Sequence, residues 1–233
     1  MTTPERLFGD LLAAEPSRPF VTYYDEASGE RAELSVKSLA NWVVKTHHLL
    51  ATELGLGVGD TALVAVPAHW ISVPILLGCL TAGVELTADG ATDVAFVAPA
   101  TLGAADASDV YAIAPESAAV GFRDAVPAGA LDYVSSVRPQ ADTWPTVQLT
   151  AGPDDPCLPG LSRGQAVERA RAVGLAPRER LLTTRSWSAP DDWIETVLAP
   201  LVVGGSLVIV ANAPDNDVVE RRADQERATR TLT

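Results

Sequence analysis

Residues 147–164 read VQLTAGPDDPCLPGLSRG and stand between a short apolar strand and a helix, which is the setting of a phosphate-binding loop. Such a loop uses glycine amides that converge on one anion, together with hydroxyl donors and a lysine. The residues in the position of the phosphate-binding turn are Thr150, Ala151 and Gly152. This turn therefore contains one hydroxyl donor and one glycine of the kind that a phosphate-binding loop uses.

The rest of this segment opposes phosphate binding. Prolines at positions 153, 156 and 159 remove three backbone N–H donors and stiffen the turn. Asp154 and Asp155 would each repel a phosphate by about 1 kcal/mol at about 4 Å in water, and by about 4 kcal/mol at an effective dielectric constant of about 20. Arg163 is the nearby cation, and we expect it to be exposed and unable to offset both carboxylates. The sequence predicts that this segment does not hold a nucleotide.

A second group of candidate residues follows two apolar strands. His69 follows one of them, and Arg185, Trp187 and Trp193 follow another. Because ligands bind at the carboxyl ends of the strands in open α/β sheets, these four residues are a candidate ligand pocket. The alternative for His69 is a capping or packing role, and the alternative for the tryptophans is packing of helix 191–201 onto the sheet. No residue is assigned a catalytic role, and no His and Cys cluster has the spacing of a metal site.

The apolar pattern alternates between strand and helix periodicities along most of the chain. We predict strands at 19–25, 31–34, 62–67, 84–86, 93–98, 109–114, 146–151, 180–184 and 206–212. We predict helices at 5–14, 35–50, 71–83, 162–174, 191–201 and 217–232. This order indicates an α/β fold in which mostly parallel sheets are flanked by helices.

The domain organisation follows from a break in this pattern. Residues 116–145 are rich in Ala, Gly, Ser and Pro and read as an irregular connection. We expect one region over residues 1–233, with halves at 1–115 and 146–215 joined by that connection.

Composition limits the class of partner. The chain has 17 Lys and Arg against 30 Asp and Glu, a net charge of −13, which repels nucleic acids and anionic membranes. No apolar run reaches the roughly 18 residues that span a bilayer, and the N-terminus lacks a signal-peptide pattern. Cys79 and Cys157 form no CxxC pair. We expect a cytoplasmic protein with reduced thiols and with neither nucleic-acid nor membrane partners.

Two blocks of local sequence carry recognisable motifs. In the first block, a helix ends in a glycine-rich turn into a strand, and a later helix closes in Ala-Gly-Val. The motif residues of this block are Leu56, Gly57, Val58, Gly59, Asp60, Ala82, Gly83 and Val84. Those of the second block are Gly174, Leu175, Pro177, Pro200, Leu201, Gly204 and Gly205. Together the two blocks resemble the N-terminal part of the adenylate-forming, AMP-binding acyl-CoA synthetases, and the resemblance extends over residues 20–212.

The resemblance implies a fold and a lost activity. Enzymes of that family bind ATP and Mg with a Thr/Ser/Gly-rich loop followed by Pro-Lys-Gly, and later elements supply a catalytic Lys. The sequence ends before those elements, so we expect the C-terminal catalytic domain to be absent and no cofactor to be bound. The chain is interpreted as a non-catalytic binding or interaction protein derived from an adenylate-forming enzyme.

Two alternatives stay open at this point. One is a half-enzyme that completes an acyl-adenylating site with a partner chain, as an acid-CoA ligase. The other is an α/β enzyme with a different site near His69, Arg185 and Trp187. Because truncation would expose apolar surface, we also expect a homodimer or a protein partner to cover that face.

Overall fold

The computed structural model describes residues 2–145 and 151–233. The strands of this part are β1 (Pro19–Asp25), β2 (Arg31–Ser35), β3 (Thr61–Ala65), β4 (Glu85–Thr87), β5 (Thr92–Val97), β6 (Ala107–Ala112), β7 (Leu131–Asp132), β8 (Pro156–Leu158), β9 (Leu161–Ser162), β10 (Arg180–Thr183), β11 (Ser206–Ala211) and β12 (Arg230–Leu232). The helices are α1 (Pro4–Ala14), α2 (Val36–His48), α3 (Ser72–Ala82), α4 (Tyr133–Val137), α5 (Arg163–Ala172), α6 (Pro190–Trp193), α7 (Ala199–Val202) and α8 (Asn216–Glu226). The predicted strand 146–151 lies almost wholly outside the described residues.

The first sheet has the strand order β12-β10-β11-β1-β2. Only the pairing of β1 with β2 is antiparallel among its described strands. Val21 stands opposite Leu207, and Leu182 stands opposite Val208. These side chains are buried, as expected for apolar strands that are covered on both faces of a parallel sheet.

The second sheet is parallel throughout its described strands, in the order β4-β3-β5-β6-β7. Leu63 pairs with Ala95, and Phe96 pairs with Tyr111. A separate hairpin of β8 and β9 leads into α5. One apolar core joins side chains of both sheets and of the helices, including Phe8, Leu39 and Leu77.

Helices α2 and α3 approach each other closely at Gly78. A Cβ placed on Gly78 would lie 2.5 Å from Cβ of Thr46. The Thr46 hydroxyl is fixed at this contact, 2.8 Å from the Trp42 carbonyl and 2.7 Å from the Tyr133 hydroxyl. Glycine is therefore required by space rather than by backbone conformation.

The predicted fold class is confirmed, since both sheets are mostly parallel and helices pack against them. The prediction for residues 217–232 was wrong in its second half. Helix α8 ends before Arg227, which has a left-handed backbone with φ of 52°. The chain then forms β12, which pairs in parallel with β10, so a long-range contact overrides the local helical pattern.

Two further features differ from the sequence prediction. The connection 116–145 contains β7 and α4, and Asp132 caps α4 by accepting the Val134 N–H at 3.0 Å. Helix α2 continues as a π-helical turn, Leu49–Glu53, and a second π-helical turn, Ile194–Leu198, joins α6 to α7. Among the described residues, no helix combines the length and apolar character needed to cross a bilayer.

Candidate functional site

A cleft of about 390 Å³ lies where strands of both sheets end. Residues at or just after the carboxyl ends of β1, β3, β10 and β11 line it. This placement follows from the topology, because parallel strands bring their carboxyl ends to the same edge of a sheet. The volume lies within the range of about 300–1,000 Å³ that is usual for small-molecule sites.

Three of the four predicted pocket residues meet in this cleft. His69 follows β3, and Arg185 and Trp187 follow β10. Trp193 lies elsewhere, beside a gap of about 10 Å³ that it shares with Leu76 and Cys157. The packing role that the sequence left open for Trp193 fits this position.

The imidazole of His69 is 2% exposed, and its hydrogen bonds define its tautomer. Its Nδ1 accepts the Ile71 N–H at 3.2 Å, which places the proton on Nε2. No hydrogen-bond acceptor for Nε2 is found among the described residues, and the Glu30 Oε2 atom lies 3.8 Å away. Burial lowers the pKa of His69 to about 4, although Asp25 opposes this shift. The ring is therefore a neutral N–H donor at pH 7.

Arg185 brings a charge that is already paired. Its Nη1 donates to Oε2 of Glu195 at 2.5 Å, and its backbone N–H donates to the Thr183 hydroxyl at 3.1 Å. Both members of this ion pair are 37% exposed at the side chain. Arg185 consequently adds little net positive charge to the cleft.

Trp187 is the second buried donor in the cleft. Its side chain is 8% exposed, and its Nε1 has no hydrogen-bond partner within the described part of the chain. The same holds for Nε1 of Trp193, away from the cleft. A buried N–H without a partner costs about 1–3 kcal/mol.

Carboxylates line the same cleft. Asp25 accepts hydrogen bonds from Asn212 Nδ2 at 2.8 Å, from the Ser28 hydroxyl at 2.8 Å and from the Ala27 N–H at 3.0 Å. Burial would raise the pKa of Asp25, but these hydrogen bonds outweigh it and lower the pKa. Glu116 is exposed at the rim. The cleft therefore carries excess negative charge.

The loop before α5 uses its amides within the chain. The Gly152 N–H donates to Oδ2 of Asp155 at 2.6 Å. At the start of α5, the Arg163 N–H donates to the Asp155 carbonyl at 3.0 Å, and the Gly164 N–H donates to the Pro153 carbonyl at 2.8 Å. Ala151 is buried, and Thr150 lies outside the described residues.

Arg163 is not exposed, and the sequence expectation on this point was wrong. Its side chain is fully buried and donates to Glu5 Oε2 at 3.0 Å, to the Leu80 carbonyl at 2.8 Å and to the Val84 carbonyl at 3.3 Å. The cause is the packing of α5 beside α1, which the local sequence does not encode. The guanidinium satisfies carbonyls at the end of α3.

Neither cysteine is placed for chemistry. Cys79 and Cys157 are both buried free thiols. Burial raises the pKa of Cys157 to about 12, although Arg163 opposes the shift. A thiol with such a pKa forms almost no thiolate at pH 7. Among the described residues, no cluster of His, Cys, Asp and Glu could hold a metal ion.

Sequence reasoning missed part of the cleft. Tyr23, Asp25 and Asn212 also line it, at the carboxyl ends of β1 and β11. The signal was present, because each stands in the last part of a predicted strand. What the sequence lacked was the pairing of β1 with β11, which are far apart along the chain.

A curated relative establishes the family. The "TIGR03089 family protein" of Mycobacterium tuberculosis is 38% identical over 248 residues, an alignment that covers all of both chains. The chain belongs to the TIGR03089 family. No protein-family model matches it.

Solved structures show the fold of this TIGR03089 family member. An acyl-CoA synthetase of Brucella canis superposes with a TM-score of 0.79 at 14% identity, over 99% of this chain and 47% of that one. An acetoacetyl-CoA synthetase from Streptomyces lividans gives 0.77 at 19% identity, over 98% and 42%. The N-terminal domain of FACL13 from Mycobacterium tuberculosis gives 0.71 at 15%, over 99% and 62%. The chain thus has the fold of the N-terminal part of acyl-CoA synthetases and spans about half the length of most of these structures.

Proposed function

We propose that this chain is a non-catalytic ligand-binding protein, which binds a small molecule in the cleft and does not bind ATP. The observation that carries the proposal is the internal bonding of the amides of Gly152, Arg163 and Gly164. A phosphate site needs such amides to be free and convergent. Here carbonyls and one carboxylate of the same loop accept them.

The charges around this loop support the same conclusion. The guanidinium of Arg163 is buried in bonds to Glu5 and to two carbonyls, so it does not face the loop as an anion receptor. Asp155 places its carboxylate on the amide where a phosphate oxygen would bind. An incoming triphosphate would have to break these contacts and overcome the repulsion of that carboxylate.

The cleft offers no free imidazole base among its described residues, because Nδ1 of His69 accepts the Ile71 N–H and Nε2 carries the proton. Both cysteine thiols are buried away from the cleft. Binding remains well supported, since the cleft combines aromatic side chains, paired charges and buried polar groups in one cavity.

The test is a pyrophosphate-release assay on the purified chain with ATP, Mg²⁺ and a panel of short, long and aromatic carboxylic acids. A full-length acyl-CoA synthetase serves as the positive control. We expect no release above the buffer rate with any acid. Acid-dependent release of pyrophosphate would contradict the proposal and favour an adenylating enzyme.

A further inference from the structure

Two residues that line the cleft, His69 and Trp187, each carry a buried N–H donor that has no acceptor among the described residues, and these donors indicate the chemistry of the ligand. We propose that the cleft selects an uncharged carbonyl compound, such as an amide, over the corresponding carboxylate or amine. The inference rests on the proposed function, since it assumes that the cleft binds a small molecule. It adds a ligand class to that function.

The donors are Nε2 of His69 and Nε1 of Trp187. His69 is 2% exposed and Trp187 is 8% exposed, and neither nitrogen has a partner within the described residues. The Ile71 N–H occupies Nδ1 of His69 and so keeps the proton on Nε2. Indole Nε1 can only donate. Both groups therefore require an oxygen acceptor, which a carbonyl supplies.

The surrounding charges decide against an anionic acceptor. The one cation of the cleft, Arg185, is paired with Glu195, whereas Asp25 and Glu116 leave negative charge on the lining described by the structure. A carboxylate would meet this charge without a free cation to offset it. Its uncharged amide has the same shape and the same acceptor without the repulsion.

An amine fits the donors no better. An ammonium group has only N–H donors, so it would leave His69 and Trp187 without acceptors. The Asp25 carboxylate, which is the main attraction for a cation here, already accepts three hydrogen bonds. An uncharged carbonyl compound offers an acceptor to both orphaned donors and adds no charge to the cleft.

Benzamide, benzoate and benzylamine form a matched set of probes. They share a phenyl ring, which suits a cavity of about 390 Å³ lined by Tyr23 and Trp187, and differ in the charge of one group. Each is titrated into the ¹⁵N-labelled chain, and the indole N–H signals of its five tryptophans are followed by NMR. We expect saturable benzamide binding at least about tenfold tighter than that of either charged probe. The Trp187 signal moves downfield as the new hydrogen bond forms.

Three variants test whether benzamide binding depends on the two N–H donors or only on the packing of the aromatic side chains. Trp187→Phe removes one N–H and keeps an aromatic ring. His69→Asn removes the Nε2 donor and keeps an oxygen near the position of Nδ1 for the Ile71 N–H. We expect each to weaken benzamide binding about 2- to 10-fold. Trp193→Phe, which removes an unpaired N–H outside the cleft, leaves the affinity unchanged.

The inference fails if benzoate or benzylamine binds as tightly as benzamide, or if benzamide shows no saturable binding. It also fails if Trp193→Phe weakens binding as much as the cleft variants. Benzoate binding without pyrophosphate release removes this inference and leaves the proposed function in place. Acid-dependent pyrophosphate release removes the proposed function instead.

Discussion

Burial keeps His69 uncharged in the folded chain, and this lowers the stability of the folded chain in acid. The pKa of His69 falls from 6.5 to about 4 on folding, chiefly because the ring is desolvated. The groups that face it are Tyr23, whose ring centroid is 4.1 Å away, and the carboxylates of Asp25 and Glu30. Desolvation of the ring outweighs the attraction of Asp25 for the imidazolium form.

We therefore predict that the free energy of unfolding falls as the pH drops from 6.5 towards 4. In this window the unfolded chain binds a proton that the folded chain does not, so acid favours unfolding. His69 accounts for about 2–3 kcal/mol of the loss. Urea unfolding of the wild type and of His69→Asn at pH 7.5 and at pH 4.5 measures it. Burial also lowers the pKa of His47, so His47 contributes to the loss in both proteins. The contribution of His69 is therefore the loss of unfolding free energy in the wild type minus the loss in His69→Asn. Equal losses in both would contradict the prediction.

Arg163 is buried in the structure, whereas its sequence position led us to expect an exposed side chain. The sequence placed it beside a phosphate loop, but its guanidinium bonds to Glu5, which is 158 positions away along the chain. Burial raises the pKa of Glu5, although Arg163 opposes the shift. Such a pairing depends on how α1 and α5 pack, which no local pattern of residues specifies.

Replacing Arg163 by Met is predicted to destabilise the chain by about 3–5 kcal/mol, because it leaves the Glu5 carboxylate buried without a partner. The double variant Glu5→Gln/Arg163→Met removes both charges and should recover part of that loss. Chemical unfolding of the two variants measures both effects. A loss below about 1 kcal/mol in the single variant would show that the pair is not buried as described.

At the scale of elements, the start of the helix that follows the loop was predictable. Ser162 and Gln165 form the expected capping box, in which the Ser162 hydroxyl accepts the Gln165 N–H at 3.3 Å and Gln165 Oε1 accepts the Ser162 N–H at 2.9 Å. This motif is local, so four residues of sequence suffice to specify it. The use of the loop amides by Asp155 and Pro153 depends on the fold of the turn and became visible only in the structure.

The contact between α2 and α3 gives a prediction at this scale. Gly78→Ala should destabilise the chain by about 1–3 kcal/mol, because its methyl group would overlap Thr46 and separate the two helices. The gain in helix propensity from alanine, about 1 kcal/mol, is too small to compensate fully. Gly103→Ala is the control, since no atom lies within 4 Å of the added Cβ and its φ is not positive. Thermal unfolding of both variants tests the contact, and equal melting temperatures would contradict it.

At the scale of the whole molecule, the sequence predicted the order of the elements better than it predicted which strands pair with each other. The strands at 19–25, 62–67 and 206–212 were predicted within a few residues of their observed ends. The pairing of β1 with β11, and of β12 with β10, joins segments far apart in sequence. Single-sequence patterns describe one segment at a time, so the cleft formed by those pairings was only partly predicted.

The expected homodimer is a prediction at the same scale. Among the described residues, Val58, Val120 and Leu131 are the large apolar side chains classed as exposed, at 50%, 51% and 53%. Association of two copies would remove such surface from water. Sedimentation equilibrium over a range of concentrations measures it, and a monomer at every concentration would contradict it.

We propose that this chain keeps the fold of the N-terminal part of acyl-CoA synthetases without a nucleotide site. Isothermal titration calorimetry of the 233-residue chain with ATP and Mg²⁺ tests this most directly, because it needs no knowledge of the ligand of the cleft. We expect no saturable heat up to millimolar ATP, since the amides of Gly152, Arg163 and Gly164 are bonded within the chain. A full-length acyl-CoA synthetase titrated in the same way is the positive control. A saturable isotherm of this chain with a submillimolar Kd would contradict the account.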